Sequence, residues 1–518
     1  MEVDSSTTSW VAVLAMAIIL LAALLFSFSK NPSFRSHKLL KPPPGPKPWP
    51  IIGNLNLIGA LPHQSLHRLS QEYGPIMQLK FGSFPVVVAS SPTMAKEFLK
   101  THDHTFASRP QSAAGKYTTY NHTNITWAPY GPYLRQGRKI FQSELFSSKR
   151  LESFEYIRVE ERCALVSRLC TFSGKPIKVI DHLSHLTLSV ISRITLGKKY
   201  FKESESGTST ELTLEEFQEM LDELVLLNGV LNIGDWIPWL DFLDLQGYVK
   251  RMKAVTEKLD QVYDHVLDEH KARMGGKDFV PKDMVDLLLQ MDENPNTDVK
   301  LTCDNVKGLL QDLIAGGTDT SAAILEWAMS ELLKQPHLIK IANEELDRIV
   351  GKQKWVEEKD IPQLPFIDAI MKETLRKHPA AALLAPHLAL EDCKVAGYDI
   401  RRGTRVFINV WSMGRDSSVW DAPKEFRPER FLGKAIDVKG HDFELLPFGS
   451  GRRMCPGYSL GLKMISSTLA NMLHGFEWTL PDNMKPEDLS MEEVYGLITH
   501  RKFPLVAVVK PRLEPHLY

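Results

Sequence analysis

Cysteine is scarce in this chain: five residues in 518, at Cys163, Cys170, Cys303, Cys393 and Cys455. So few, spread so widely, exclude a disulfide scaffold, and an odd number leaves at least one thiol unpaired. Net charge is nearly absent as well. Lys plus Arg is 62 and Asp plus Glu is 63, a formal charge of −1. That balance excludes a strongly basic nucleic-acid binder, because affinity for phosphates needs a positive face, and no nucleic-acid partner is expected. A Walker A loop is missing, and so is a Gly-x-Gly-x-x-Gly between a strand and a helix, so no nucleotide site is expected. Internal repeats are missing, and the one low-complexity tract is rich in proline. What is plentiful is apolar side chain, 43% of the residues. That is enough for a large buried core and excludes wholesale disorder.

Long apolar runs are equally rare, with one exception. Trp10 to Phe28 holds 19 residues with Ser27 as the single polar member. At ~1.5 Å per residue it reaches roughly 28 Å, near the hydrocarbon thickness of a bilayer. The preceding residues carry Glu2 and Asp4 and no Lys or Arg, whereas Lys30, Arg35, Lys38 and Lys41 follow the run. A cleaved leader has the reverse charge order and a shorter apolar core. The pattern predicts a lumenal N-terminus over 1–9 and a transmembrane anchor over 10–28, with everything beyond residue 30 in the cytosol. In the cytosol the sequons Asn121-His122-Thr123 and Asn124-Ile125-Thr126 go unmodified and are read as chance. Residues 29–50 form a basic and proline-rich linker. Its Pro42-Pro43-Pro44-Gly45-Pro46-Lys47-Pro48-Trp49-Pro50 cannot be helical and reads as a stiff spacer.

The remainder, 51–518, reads as one mainly α body with small β-sheets. Short β-like runs occur at Ile76–Leu79 and Val86–Ala89, and strand-like pieces return near Val395–Val410. Between about 91 and 380 helical spacing dominates. Its clearest case is Val306, Leu309, Leu310, Leu313 and Ile314, resuming at Ala322, Ala323 and Trp327. Gly316 and Gly317 interrupt that stripe, and each costs about 1 kcal/mol relative to Ala. The sequence predicts one long helix, kinked and loosened there. Trp236-Ile237-Pro238-Trp239-Leu240 fits either an interfacial membrane contact or core packing.

One cysteine lies in unusual company: Phe448-Gly449-Ser450-Gly451-Arg452-Arg453-Met454-Cys455-Pro456-Gly457. Gly451 and Gly457 permit tight turns and close approach to a flat ligand. Backbone N–H groups in such a loop can hydrogen-bond a thiolate. Arg453 suits a carboxylate. A helix beginning near Leu460 favours an anionic sulfur just before it. A lone thiolate without clustered Cys or His is wrong for structural zinc or an iron–sulfur cluster and suits axial ligation of haem iron.

That decamer, Phe-x-x-Gly-x-Arg-x-Cys-x-Gly, resembles the haem-binding signature of the cytochrome P450 monooxygenases. Other motifs of that family occur in order over 42–511. Lys372-Glu373-Thr374-Leu375-Arg376 carries Glu-x-x-Arg, and Pro428-Glu429-Arg430-Phe431 follows. The resemblance implies a buried network of Glu373, Arg376 and Arg430 bracing the haem loop. Ala315-Gly316-Gly317-Thr318-Asp319-Thr320-Ser321 is similar to the family's oxygen-activating segment. It implies Thr320 as donor to iron-bound dioxygen and Asp319 as proton source. Phe448, Gly451, Gly457 and Arg453 would hold the cofactor, Arg138 and His387 would meet its propionates, and Cys455 would ligate the iron. Leu134 stands where the family has a propionate-supporting Trp. The pocket is expected from Tyr117–Ile125, Leu227–Ile233, Leu309–Thr318, Ala380–Leu384 and Leu497, including Leu313, Gly316, Gly317, Ala381 and Ala382.

The implied fold is the cytochrome P450 fold, preceded by one transmembrane helix. The implied cofactor is haem b with an axial cysteine thiolate, which pushes electron density onto iron and favours O–O cleavage. No flavin or nicotinamide site is visible, so NADPH acts only through a separate NADPH–cytochrome P450 reductase. The other partners are the lipid bilayer, O2 and a small hydrophobic substrate. The overall texture is similar to plant microsomal members of the A-type clan, at the endoplasmic reticulum. The favoured substrate is a phenylpropanoid-derived aromatic such as a flavonoid or lignan, with a terpenoid or steroid as alternative. A reductase-independent hydroperoxide isomerase or dehydratase and a non-enzymatic haem- or sterol-binding membrane protein are the rivals. Thr320 and an uninterrupted Cys455 loop speak against the first, and the Asp319-Thr320 pair against the second.

Overall fold

The computed structural model describes residues 41–201, 212–274, 280–293, 300–482 and 484–518. The expected lumenal tail, the anchor at 10–28 and the linker up to residue 40 lie outside the described residues. Among the described residues no helix is long and apolar enough to cross a membrane.

The longer helices, in chain order, are α1 Pro62–Tyr73, α2 Pro132–Ile140, α3 Glu155–Thr171, α4 Val179–Leu196 and α5 Leu214–Gly229. They continue with α6 Tyr248–Met274, α7 Met284–Glu293, α8 Cys303–Lys334, α9 Pro336–Ile349, α10 Pro365–Lys377 and α11 Tyr458–Gly475. The strands are β1 Ile76–Phe81, β2 Phe84–Ala89, β3 Pro176–Lys178, β4 His387–Leu388, β5 Cys393–Val395 and β6 Tyr398–Ile400. After them come β7 Arg405–Ile408, β8 Phe476–Thr479, β9 Glu493–Val494, β10 His500–Arg501 and β11 Val506–Pro511.

The 32-residue α8 runs through the middle and packs along α4, with α10 and α11 against its other flanks. Its start is capped twice: the Thr302 hydroxyl accepts from Asn305 N–H, and Asn305 Oδ1 accepts from Thr302 N–H at 2.8 Å. Its core stripe, Val306, Leu309, Leu310 and Ile314, then Ala322, Leu325 and Ala328, is buried throughout. The helix continues through Gly316 and Gly317 as one element, as the apolar stripe on both sides of them predicts. Thr318 and Thr320 donate their hydroxyls back to the Ile314 and Gly316 carbonyls, at 2.7 and 2.8 Å. These bonds give the interrupted turn extra partners.

The larger sheet runs β1-β2-β7-β4. The expected runs at 76–79 and 86–89 form its hairpin, with Ile76 opposite Ala89 and a left-handed Gly82 at the turn. β2 pairs in parallel with β7, Val86 beside Arg405. The proline-rich stretch lies along β1, where Gln78 N–H donates to the Pro44 carbonyl at 2.8 Å. A Cβ at Gly45 would collide with the Gln78 carbonyl, so only glycine fits that contact. A second sheet, β3-β11-β8, and the small hairpins β5-β6 and β9-β10 complete the β-structure.

Trp236-Ile237-Pro238-Trp239-Leu240 divides between its two readings. Trp236 and Ile237 are buried, Trp236 edge-on to Phe81 with ring centres 5.1 Å apart. Trp239 and the following Phe242 point outward, 60% and 81% exposed.

Candidate active site

A largely apolar chamber of about 310 Å³ lies between α8 and the loop before α11. Cys455 forms part of its lower wall, and Leu313, Gly316, Gly317 and Thr320 of α8 form the upper one. The loop is held by short backbone bonds: Cys455 N–H to the Phe448 carbonyl at 2.9 Å, and Met454 N–H to the Gly451 carbonyl at 3.1 Å. Gly449 and Gly451 take left-handed φ of 68° and 70°, which costs other residues roughly 1 kcal/mol or more. Gly451's close neighbours are the Leu99 carbonyl and Asp103, and both would meet a Cβ there. Gly457 differs from expectation. Its φ is −88°, it caps α11, and a Cβ there would touch the Phe146 ring at 3.4 Å. The second left-handed position is Gly449.

Cys455 presents surface to the chamber. Burial pushes its thiol up, while the Gly457 N–H and the Arg138 charge pull it down. A thiol in this setting ionises when a cation binds the sulfur.

Arg138 and Arg453 both line the chamber, and so does Arg109, which the sequence reading did not single out. Among the described residues no carboxylate comes within ion-pair distance of the three. Arg453 donates to the carbonyls of Ala107, Ile125 and Ala128. Arg109 donates to those of Thr126, Ala385 and Pro386, and Arg138 to that of Met454. Burial holds all three guanidiniums below their ordinary range, Arg453 down to about 9, and mutual repulsion adds to this for Arg109 and Arg453. Buried positive charge with no carboxylate in ion-pair contact, around an apolar slot, fits a flat ligand bearing two carboxylates. His387 is buried on the same wall, its Nδ1 2.8 Å from the Phe106 carbonyl. Burial, then the Arg109 charge, holds its imidazole well below the usual range and therefore neutral. Leu134 sits in the core, 1% exposed, so no indole supports this edge and Arg109 adds a cation there. An apolar slot, a sulfur at its floor and three arginines at one edge together fit haem with its two propionates.

Glu373, Arg376 and Arg430 meet as expected. Both Glu373 oxygens accept from Arg376, at 2.7 and 2.8 Å, and Arg430 Nε reaches Oε1 at 3.0 Å. All three side chains are buried. Arg376 also binds the carbonyls of Gly414, Pro423 and Glu425. This ties α10, whose Leu375 lines the chamber, to the strand of chain leading toward the Cys455 loop.

Asp319 is not on the chamber wall. Its Oδ2 meets His500 Nε2 at 2.9 Å in a separate cavity on the other side of α8. Successive helical residues point about 100° apart, so the neighbour of a chamber-facing Thr320 faces elsewhere. Tyr117 and Leu227 are also displaced. Tyr117 packs by its ring against Lys116 and Lys253, and Leu227 is fully buried core. Within the expected ranges, Asn228, Gly229, Val230 and Leu231 line a smaller side chamber instead. Ala382 belongs to that side chamber, and Ala381, Leu384 and Leu497 are shared by both.

Asp312 belongs to the site as well. It accepts from Asn124 Nδ2 and Thr126 Oγ1, both at 2.8 Å, and from the N–H of Ile125 and of Thr126. It thereby fastens to α8 the loop whose carbonyls hold Arg109 and Arg453. The same bonds bury Asn124, 3% exposed.

Comparison with known proteins agrees with this geometry. A family profile described as Cytochrome P450 matches residues 43–506. The chain is 46% identical to the maize (Zea mays) trimethyltridecatetraene synthase, over 98% of this chain and 95% of that one. It is 41% identical to the flavonoid 3'-monooxygenase of Petunia hybrida, over 96% and 97%. A zebrafish cytochrome P450 solved with abiraterone superposes with a TM-score of 0.72 at 26% identity, over 87% of this chain and all of that one. The sulfur-floored chamber, the arginine edge and these matches agree: the chain belongs to the cytochrome P450 family and is a haem-thiolate monooxygenase supplied with electrons by a reductase.

Proposed function

We propose that this monooxygenase, anchored in the endoplasmic reticulum membrane with its catalytic body in the cytosol, oxidises a phenylpropanoid-derived aromatic of flavonoid type. The observation that carries the substrate reading is the paired cavity. The chamber above Cys455 is apolar where the reacting carbon must lie, and the side chamber sharing Ala381, Leu384 and Leu497 adds Ser112, Asn228, Asp235 and Arg405 to its walls. A flat molecule with an apolar reacting ring and a hydroxylated far end suits that order. Relatives named as flavonoid 3'-monooxygenases and a flavonoid 3',5'-hydroxylase stand at 38–41% identity. Full-length likeness to maize synthases named for acyclic polyenes, at 45–46%, favours an acyclic terpenoid as the second reading.

Haem held by Cys455 supplies dioxygen activation with two electrons delivered by the reductase. The chain's own residues do the rest. Arg109, Arg138 and Arg453, with neutral His387 beside them, would hold the acid groups of the cofactor. Glu373, Arg376 and Arg430 tie α10 to the 414–430 segment that precedes the Cys455 loop. Thr320, whose hydroxyl rests on the Gly316 carbonyl, can turn that O–H toward the open space left by Gly316 and donate a hydrogen bond there. The apolar walls exclude water from the reacting carbon.

Membrane attachment at 10–28 is supported by a second feature. Trp239, Phe242, Leu243 and Leu245 are exposed, as are Trp49 and Ile51. Their chain neighbours Ile52 and Leu240 pack against one apolar cluster that contains Trp236, and Trp236 also lines the side chamber. An apolar substrate dissolved in the bilayer would meet this face first.

The test is a substrate-binding difference spectrum over flavanones, other phenylpropanoids and acyclic terpenoids, followed by product analysis with reductase and NADPH. A high-spin shift and an oxygenated aromatic product support the first reading. A shift and product with acyclic terpenoids alone replace it with the second.

A further inference from the structure

Oxygenation of R–H consumes one O2, two electrons and two protons, and yields R–OH and water. The protons must come from solvent, yet the haem chamber is built to exclude it. The second cavity, about 330 Å³ on the far side of α8, holds the groups that can carry them. Lys178, Asp181, Ser184, Asp222, Asp319 and His500 are among its walls. Lys178 and Asp181 form an ion pair of 3.4 Å, both more than half exposed, which connects the cavity to solvent. Asp319 is 7% exposed and adjoins Thr320 in the chain, while its partner His500 is 31% exposed. His500 begins β10 and pairs with Val494 of β9. The tip of that hairpin carries Leu497 into the haem chamber. One hairpin therefore serves both cavities.

We propose that His500 and Asp222 are positioning and proton-carrying residues that load Asp319 from this cavity, which makes it the proton inlet of the monooxygenase. The imidazolium gives its Nε2 proton to Asp319 Oδ2. The N–H bond breaks, an O–H bond forms, the electron pair stays on the ring nitrogen, and cavity water restores the proton. No electron moves in this step. Asp319, now neutral, carries the proton one residue from Thr320. The charged groups facing His500 favour the cycle: Asp319 and Glu326 from α8, Asp222 from α5, and Lys178 and Asp181 at the start of α4. Burial lowers the His500 imidazole, but Asp319, Asp222 and Glu326 outweigh it and hold it above its ordinary range. Burial, then Asp319, pushes the Asp222 carboxyl up to about 7. Asp222 therefore exchanges its proton near neutral pH, and His500 stays available as a cation beside Asp319, as a relay requires.

The test uses the holoenzyme and two variants, His500→Gln and Asp222→Asn, and needs no knowledge of the substrate. In selectively 13C-labelled ferric protein, the His500 ring signal, identified by its loss in H500Q, should titrate above 6.5. In D222N its midpoint should fall by roughly half a pH unit, because a negative neighbour is gone. With reductase and NADPH, oxygen-dependent NADPH consumption in the wild type should decline as pH rises through the His500 midpoint. H500Q should lose that limb, run about tenfold slower and display a larger solvent deuterium effect, while the reduced carbon monoxide band stays intact. Identical rates and pH profiles in all three proteins, or a His500 signal indifferent to D222N, would overturn the proposal. Should H500Q lose the carbon monoxide band, D222N decides alone by the direction in which its limb moves. None of these readouts depends on whether the substrate is a flavonoid or a terpenoid.

Discussion

Arg109 costs the free chain free energy and would repay it when the cofactor arrives. It is 8% exposed, its acceptors are carbonyls, and two other guanidiniums repel it. A charged hydrogen bond in such a place is worth about 1.5–3 kcal/mol. Arg109→Leu should therefore lose haem to apomyoglobin about tenfold or more faster than the wild type, with the carbon monoxide band of the fresh protein unchanged. An unaltered transfer rate would remove Arg109 from the cofactor site. Asp235 is a different kind of residue. Burial pushes its carboxyl from 3.8 to about 6, against the pull of the Ala113 N–H and the Arg405 charge. A carboxyl whose folded pKa is raised contributes stability that is fully present below 3.8 and lost as pH rises through about 6. Asp235→Asn keeps an oxygen for Ala113 and abolishes the ionisation. Its stability should match the wild type at pH 4 and exceed it by up to about 3 kcal/mol at pH 8, read as the difference between two denaturation curves. Equal differences at both values of pH would place the effect in packing instead.

The two glycines of α8 separate packing from open space within one turn. A Cβ at Gly317 would come 2.7 Å from Ile191 Cγ1 on the buried face of α4, whereas one at Gly316 would meet nothing within 4 Å. Gly317→Ala should lower stability by roughly 1–3 kcal/mol. Gly316→Ala should raise it by about 1 kcal/mol while weakening substrate-induced spectra, because the new methyl enters the chamber. Melting temperatures moving in the same direction for both would contradict this geometry. The contrast also marks what the sequence conveys. Apolar spacing of 3.6 made α8 legible, and the spacing of Gly, Arg and Cys made the Cys455 loop legible, because both are local. The direction of Asp319 was available from helical geometry, yet adjacency to Thr320 obscured it. The β9-β10 hairpin that brings His500 to Asp319 joins strands of two residues each, too short for any alternating pattern. Arg109 sits in Ser108-Arg109-Pro110, where nothing local sets it apart. Its role comes from residues 126 and 385–386, which only the fold brings near.

At the scale of the whole molecule, a formal charge of −1 conceals an uneven surface. Below the Cys455 loop, Arg452 is 46% exposed and shared between Asp103 at 2.6 Å and the Tyr130 hydroxyl at 3.2 Å. Arg135, Lys139 and Lys100 are exposed on neighbouring turns. Only Asp103 offsets Arg452 directly, so the face beside the Cys455 loop retains positive charge. An acidic electron donor would be drawn to that face by long-range attraction. Such steering is screened within about 8 Å at physiological ionic strength. Reductase-driven turnover should fall roughly tenfold between low and high salt, while reduction by dithionite, which needs no protein docking, stays level. Charge reversal at Lys139, remote from the Asp103 pair, should weaken the dependence and raise the reductase concentration needed for half-maximal rate. Turnover that ignores salt, or a Lys139→Glu variant with the wild-type salt profile, would move the docking site to another face of the protein.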